Sequence, residues 1–555
     1  MARSLRLRRW QREALDLLAG CDAADFLAVA TPGAGKTTFA LAAALHHLSA
    51  NPSHRAVVVA PTSHLKLQWA RAAARLGLQL EPSWSSATGR LPTDMHGIVV
   101  TYQQVAANPE ALRRHAPRCL VVLDELHHTG EERAWGAAAR RAFELAPRRL
   151  ALSGTPFRSD THAIPFVTYV GDEATADFEY GYTAALADRR VVRPVYFPAI
   201  DGFMEWMAPD GTRNAAGFGD PLDQQGSSQR LRTALSLDGE WLPTVLAHAN
   251  DRLMELRVDQ PDAAGLVIAS DQDHARGIAH LLHQRHRVTA AVATSDDPTA
   301  SQRIARFAEG TAPWIVAVRM VSEGVDIPRL RLGVFATTTT TELFFRQAVG
   351  RFVRHTGGRA REERAWLFLP DDHRLRRWAA TIAEQRRHSL RRRWEDGEAR
   401  EEDDAVALDA LPEEDQAQLS LFEVLSARVV EGAEAGSAFD DDHELDVLDA
   451  LDAHASAGAD EDVAFELPSL PAPGTRHDVA RPAAQLTGRP LAEVKVELRS
   501  ANADLAKELA RCTGLSHREV NGRLNRLVSV ERIADATVDQ LERRVAQAER
   551  WMASL

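Results

Sequence analysis

Residues Phe26–Thr38, FLAVATPGAGKTT, constrain this 555-residue chain more than any other stretch. Phe26–Ala30 is an apolar run with the length of a buried strand. Pro32, Gly33, Ala34 and Gly35 make a glycine-rich turn, and Lys36 and Thr37 open a helical pattern that continues through Thr38. A strand, a glycine turn and a helix start form a cradle whose backbone N–H groups face phosphate oxygens. Lysine adds a mobile positive charge, and a threonine hydroxyl such as that of Thr37 is a ligand for Mg2+. The general phosphate-loop pattern has glycine where this chain has Ala30.

Strands and helices alternate after the loop. The apolar runs Ala56–Ala60, Ile98–Thr101, Leu120–Leu123 and Leu150–Ser153 are separated by helical stretches such as His64–Leu76. This pattern indicates a parallel sheet with helices on both faces. Ligands bind such sheets at the carboxyl ends of the strands. Thr62, Thr101, the pair Asp124-Glu125 and the stretch Gly154-Thr155-Pro156 all fall there. An aspartate at a strand tip, Asp124, can hold the Mg2+ that Thr37 touches, and Glu125 can orient and deprotonate a water. His127 and His128 follow at once. Neighbours on one backbone point apart and no third ligand is near in sequence, so no zinc is expected. Gln11 lies on a helix ahead of the loop, in LRLRRWQREAL. It reads either as an adenine-contacting amide or as an ordinary surface glutamine.

A second alternating series begins near Trp241. It comprises strands Leu266–Ala269, Val288–Ala293, Trp314–Val318, Leu332–Ala336 and Ala365–Leu369, with helices Asp273–Gln284, Pro298–Ala308 and Glu342–Arg354. It holds no second phosphate loop, so this lobe is not expected to bind a nucleotide of its own. On the last helix Gln347, Arg351 and Arg354 share one face at i, i+4 and i+7. Two guanidinium groups and an amide on one stripe can complete a γ-phosphate site as arginine fingers. Gly324 and Asp326, within MVSEGVDIP, form a glycine turn with an acid at a strand end, suited to sensing a ribose. Between the two series, Ser159–Arg230 lacks clean periodicity, and Gly211–Ser228 reads as a loop.

Charge is distributed unevenly. Glu395–Glu466 carries 25 acidic residues against Arg400 and Arg428, a net −23, so the rest of the chain is near +11 of the total −12. An acidic block of this kind stays solvated, and the positive remainder suits a polyanionic partner. Within the block, Gln418-Leu419-Ser420-Leu421-Phe422 is an apolar island. QLSLF resembles the pentapeptide by which bacterial replication and repair proteins dock into the sliding clamp; the alternative is a turn folding back on the two lobes of this chain. The arginines from Arg374 to Arg393 suit either a phosphate backbone or the acidic block. Leu505–Leu527 reads as two helices around a turn capped by Ser516, either a helix-turn-helix or a bundle packing on the two lobes. The three cysteines, Cys21, Cys119 and Cys512, are far apart, so no disulfide framework is expected and a reducing cytoplasm is. MARSLRLRRW lacks an apolar core and no run reaches spanning length, so no membrane partner is expected.

The stretches ATPGAGKT, APTSHLKLQW, DELHH, SGTPFR, MVSEGVDIP and TELFFRQAVGRFVR resemble, in order, motifs I, Ia, II, III, V and VI of superfamily-two helicases. The branch is that of the DEAD/DEAH-box and type III restriction helicase-like proteins, and LRLRRWQ resembles its adenine-reading motif. The resemblance spans Leu5 to Pro370 and implies an α/β fold of two tandem RecA-like parallel-sheet lobes. The first covers 1–185 and the second 236–394, joined by a linker or insertion at 186–235. An acidic, largely disordered segment follows at 395–480, then a small all-α domain at 481–555. It implies ATP and Mg2+ held by Gln11, Pro32–Thr38, Asp124, Gly324 and Asp326, with catalysis by Lys36, Asp124, Glu125, Gln347, Arg351 and Arg354. It implies nucleic-acid contacts near Thr62, Thr101, Ser153 and Thr155. The implied function is an ATP-driven DNA helicase or translocase. An ATP-switched clamp that recruits partners without processive unwinding, and an RNA helicase, are the alternatives.

Overall fold

The valine-rich runs of the first half lie side by side because each is apolar on both faces, as a strand covered by helices above and below must be. In the computed structural model, β1 spans Ser4–Leu7, β2 Asp25–Ala30, β3 Arg55–Ala60, β4 Leu80–Glu81, β5 Gly97–Thr101, β6 Cys119–Leu123 and β7 Arg148–Ser153. Strands β8, Thr168–Val170, and β9, Glu173–Thr175, make an antiparallel pair, and β10, Phe178–Tyr180, rejoins the main sheet. That sheet has the order β10-β2-β7-β6-β3-β5-β4, and its strands from β2 to β4 run parallel. Helices α1, Arg9–Gly20, α2, Lys36–Ala50, and α3, Ser63–Arg75, belong to this lobe. The structure describes residues 4–86, 89–126, 133–154, 164–170, 173–188, 191–208, 211–294, 296–297, 299–318, 327–354, 363–395, 423–428, 463–466, 468, 470 and 490–555. His127, His128, Thr155, Gly324, Asp326 and the whole QLSLF peptide, Gln418, Leu419, Leu421 and Phe422 included, lie outside them.

The chain forms two compact units. One comprises Met1–Val29, Gly35–Glu179 and Glu461–Leu555; the other comprises Ala30–Ala34 and Tyr180–Asp460. The second unit is built on β11 Val195–Tyr196, β12 Ala199–Ile200, β13 Phe203–Met207, β14 Arg213–Gly217, β15 Ala264–Ala269, β16 Ala291–Ala293, β17 Trp314–Ala317, β18 Leu330–Ala336 and β19 Ala365–Pro370. Its parallel sheet runs β11-β19-β18-β15-β17-β16, with β12 also paired to β19. Both lobes are therefore RecA-like parallel sheets, as expected from the alternating pattern.

Several expectations need correction. Gly211–Ser228 is not a loop: Arg213–Gly217 pairs antiparallel with β13, and a helix begins at Gln224, capped by Asp223. Polar composition hid these elements because their polar groups are satisfied internally. Trp206 Nε1 donates to Gln229 Oε1 at 2.9 Å, and buried Arg230 donates to the carbonyls of Gly217 and Asp220. The strand expected at Val288–Ala293 is only Ala291–Ala293. The helix from Glu342 stops at Val349, not Arg354. Burying Phe352 and Val353 tightens the chain there, so the N–H groups of Arg351 and Phe352 reach back only three residues, and Arg354 then bridges Val192 antiparallel. The acidic block is interrupted by two strands. Glu423–Arg428 pairs with β13, and Val463–Glu466 pairs with β1.

Three C-terminal helices, Leu491–Thr513, His517–Leu527 and Val538–Ala553, pack on one another, and the first of them lies against β4, the outermost strand of the first unit's sheet. Lys495, 2% exposed, reaches Asp94 at 2.8 Å and Glu81 at 3.6 Å, while Arg71 pairs with Glu493 at 2.6 Å. Val538 N–H also donates to Asp94. Inside this bundle the buried Arg544 guanidinium is held by the amides of Asn502, Asn521 and Asn525. Asn521 is thus engaged internally, whereas His517, Arg518 and Arg523 are exposed.

One half-buried pair, His47 of α2 and His54 just ahead of β3, makes stability depend on pH. His47 Nε2 lies 3.0 Å from His54 Nδ1. Burial, then the charges of His54, Arg148 and His46, pushes the His47 imidazole down to about 4 from its ordinary 6.5. The unfolded chain therefore binds more protons between those values, and stability falls as the pH drops from 6.5 toward 4. Urea midpoints should decline with acid in this window less steeply for His47→Gln than for the parent. Equal slopes would remove His47 as the cause.

Candidate active site

The loop between β2 and α2 turns through Gly33 and Gly35 with φ of +81° and +93°, a region open to glycine and strained for other residues. Space forbids a side chain there as well. A β-carbon on Gly35 would stand 2.6 Å from Gln11 Nε2. Lys36, Thr37 and Thr38 form the first turn of α2, half-buried, where the helix N-terminus favours negative charge. Gln11 itself is buried. Its Nε2 donates to the Gly35 carbonyl at 2.9 Å, and its Oε1 accepts from the Arg8 N–H at 2.9 Å. Its amide is thus fixed against the loop rather than free on the surface.

Glu125 is where the first unit's polar groups meet. Lys36 Nζ lies 3.3 Å from its Oε1, and the Gly154 N–H donates to its Oε2 at 3.0 Å. Its backbone is left-handed, φ +49°, which costs a non-glycine residue on the order of 1 kcal/mol and marks a conformation imposed by its surroundings. A β-carbon on Gly154 would come within 3.1 Å of Lys36 Nζ, so glycine keeps this corner open. Asp124 is buried beside it. Trp69 Nε1, from α3, donates to Asp124 Oδ2 at 2.8 Å, and the Tyr102 hydroxyl donates to the Asp124 carbonyl at 3.0 Å. Burial, with Asp124 and Glu125 adding to it, pushes the Tyr102 phenol well up, so it stays a donor. Trp69 and Tyr102 were not singled out by sequence reasoning. Trp69 closes the APTSHLKLQW stretch, a visible signal, whereas Tyr102 had none.

The residues suit a triphosphate and a hard cation. The glycine turn has the backbone of a phosphate cradle, a lysine stands at its end, and Asp124 and Thr37 offer oxygen ligands of the kind Mg2+ takes. Among the described residues, no group of three or more His, Cys, Asp or Glu is placed to hold a metal. No described helix is long and apolar enough to cross a membrane.

The remaining candidates are placed as follows. Thr101 is buried and caps a short helix, its hydroxyl accepting the Gln104 N–H at 3.1 Å. Ser153 is fully buried at the end of β7. Thr62 is half-buried at the N-cap of α3. Gln347 lies on the helix Glu342–Val349, with Arg351 and Arg354 in the turn and bridge beyond it. Within the second unit, which includes Ala30–Ala34, a β-carbon on Gly33 would lie 2.9 Å from Arg354 Cγ, and one on Gly350 2.6 Å from Pro32 Cγ. The fully buried Arg193 holds this stretch. It donates to the carbonyls of Pro328, at 2.9 Å, and of Arg354, and lies 3.4 Å from Glu363. Burial pushes its guanidinium down to about 9.

Two family descriptions match the chain. "Type III restriction enzyme, res subunit" covers residues 4–158, and "Helicase conserved C-terminal domain" covers residues 248–356. An uncharacterized protein of Mycobacterium leprae (strain TN) is 48% identical over 393 residues, 69% of this chain and 65% of that protein. The chain thus spans just under two thirds of that relative's length. The DNA 3'-5' translocase XPB2 of Sulfurisphaera tokodaii is 23% identical over 340 residues, 58% of this chain and 73% of that one. Among solved structures, S. cerevisiae Dbp5 bound to RNA and ADP BeF3 is similar with a TM-score of 0.42 and 16% identity, over 68% of this chain and 87% of that one. The family matches fall on the two parallel-sheet lobes, and by them the chain belongs to the superfamily-two helicases, in the type III restriction helicase-like branch.

Proposed function

We propose that the chain is an ATP-dependent helicase or translocase acting on DNA, in repair, restriction or defence. The observation that carries this reading is the convergence of Lys36 Nζ and the Gly154 N–H on the carboxylate of Glu125, a residue held in the left-handed region at the strand ends. The name of the Sulfurisphaera tokodaii relative, a DNA translocase, favours DNA over RNA.

In this reading the Gly33–Gly35 turn and the first N–H groups of α2 bind the triphosphate, and Lys36 leaves Glu125 to meet the terminal phosphate. Thr37 and Asp124 would hold Mg2+, which supplies charge neutralisation on the phosphates when bound. Trp69 fixes the direction of the Asp124 carboxylate. Glu125, released by Lys36 but still tied by the Gly154 N–H, accepts the proton of the attacking water. The Gly154 link ties the base to the SGTP stretch itself, so a change at Glu125 is passed to a segment that the resemblance connects with nucleic acid.

ATP hydrolysis measured without nucleic acid, and with single-stranded DNA, duplex DNA and RNA in turn, tests the proposal. Stimulation by DNA above RNA is the expected result, with displacement of a labelled strand separating a motor from a switch. Absence of hydrolysis under all four conditions would overturn it.

A further inference from the structure

A strand far along the chain pairs with the strand that leads into α1, a connection the family motifs do not include. Strand β1 belongs to a two-stranded sheet whose other member is Val463–Glu466, paired antiparallel with Ser4 opposite Glu466 and Leu7 opposite Val463. A two-stranded ribbon is marginal alone and needs packing to persist. Here packing is supplied on both strands. Leu7 is fully buried, and the Arg12 guanidinium of α1 sits 5.5 Å from the centre of the Phe465 ring.

What β1 carries is the start of α1. Arg8 follows it directly as the N-cap, its N–H donates to Gln11 Oε1, and Gln11 Nε2 donates to the carbonyl of Gly35. The Gln11 amide nitrogen lies only 2.6 Å from where a β-carbon on Gly35 would be, so its position sets the space left at the head of α2. The order of dependence is therefore Phe465, β1, Arg8, Gln11 and Gly35. Its ends, Phe465 and Gly35, lie 430 residues apart in sequence, yet all five members belong to one compact unit.

We propose that the strand Val463–Glu466 is a positioning element of the nucleotide site, acting through β1 and Gln11, with Phe465 as its anchor. The inference rests on the proposed nucleotide site and adds to it that an intact C-terminal segment sets adenine-nucleotide affinity. Phe465 acts through Arg12 and the strand pair.

The test uses the full chain and a fluorescent ADP as probe. In-frame deletion of residues 463–466, and separately Phe465→Ala, should weaken binding about tenfold, the effect of one or two net hydrogen bonds lost. Amide exchange at Leu5–Leu7 should rise in both variants. A synthetic peptide spanning residues 458–470 should restore affinity to the deletion, an effect that general unfolding would not allow. Unchanged affinity with Leu5–Leu7 exchange raised, or weakened affinity that the peptide fails to restore, would overturn the proposal. Lys36→Ala in the parent separates the two layers. If it leaves ADP binding unaltered, the nucleotide reading itself fails. If it abolishes binding while the strand variants bind as the parent does, only the positioning role fails.

Discussion

Glu125→Gln should lower nucleic-acid-stimulated ATP turnover by about 10²- to 10⁴-fold, the range a positioned general base contributes. The amide keeps the size of the side chain and can still accept the Gly154 N–H, but it takes no proton and loses the charge facing Lys36 at 3.3 Å. Nucleic-acid binding should persist, because the substitution leaves the basic surface alone. Steady-state phosphate release, beside a DNA titration at fixed salt, measures both. Turnover retained within tenfold of the parent would take the role of base away from Glu125.

Arg354→Ala and Arg351→Ala should each cost about 10³- to 10⁵-fold in turnover if their guanidinium groups meet charge developing on the γ-phosphate. Nucleotide affinity should change far less, since such contacts are made in the transition state. Arg193→Met gives a useful comparison. Arg193 is buried and holds the Arg354 carbonyl, so its loss should lower turnover by displacing the arginine-bearing stretch, with a smaller effect than removing the guanidinium itself. Fluorescent-nucleotide binding and phosphate release separate affinity from rate. A kcat unaffected by both finger substitutions would remove these arginines from the chemistry.

What could be read in advance was whatever depends on short-range pattern. Valine-rich runs such as Arg55–Ala60 are buried on both faces, so their composition already identifies central parallel strands. The glycine turn was legible because its backbone angles leave few other residues able to serve. The second unit's smaller sheet was not. Arg213–Gly217 carries no alternation, and it becomes a strand because Phe203–Met207 lies across from it, a long-range pairing that composition does not report. The end of the helix at Val349 was missed for a related reason. Helical spacing of Gln347, Arg351 and Arg354 is real in sequence, but burial of Phe352 and Val353 overrides it. Val463–Glu466 was hidden by its acidic flanks, where local charge outweighs four residues of strand.

The docking of the final three helices bears on how this protein can be handled. Their first helix shields β4, the outer margin of the sheet, and Lys495 neutralises Glu81 and Asp94 there. A shortened version ending after the second lobe would bare that margin, with hydrogen-bonding groups open to pairing between molecules. Such a fragment would then report aggregation before it reported ATP chemistry.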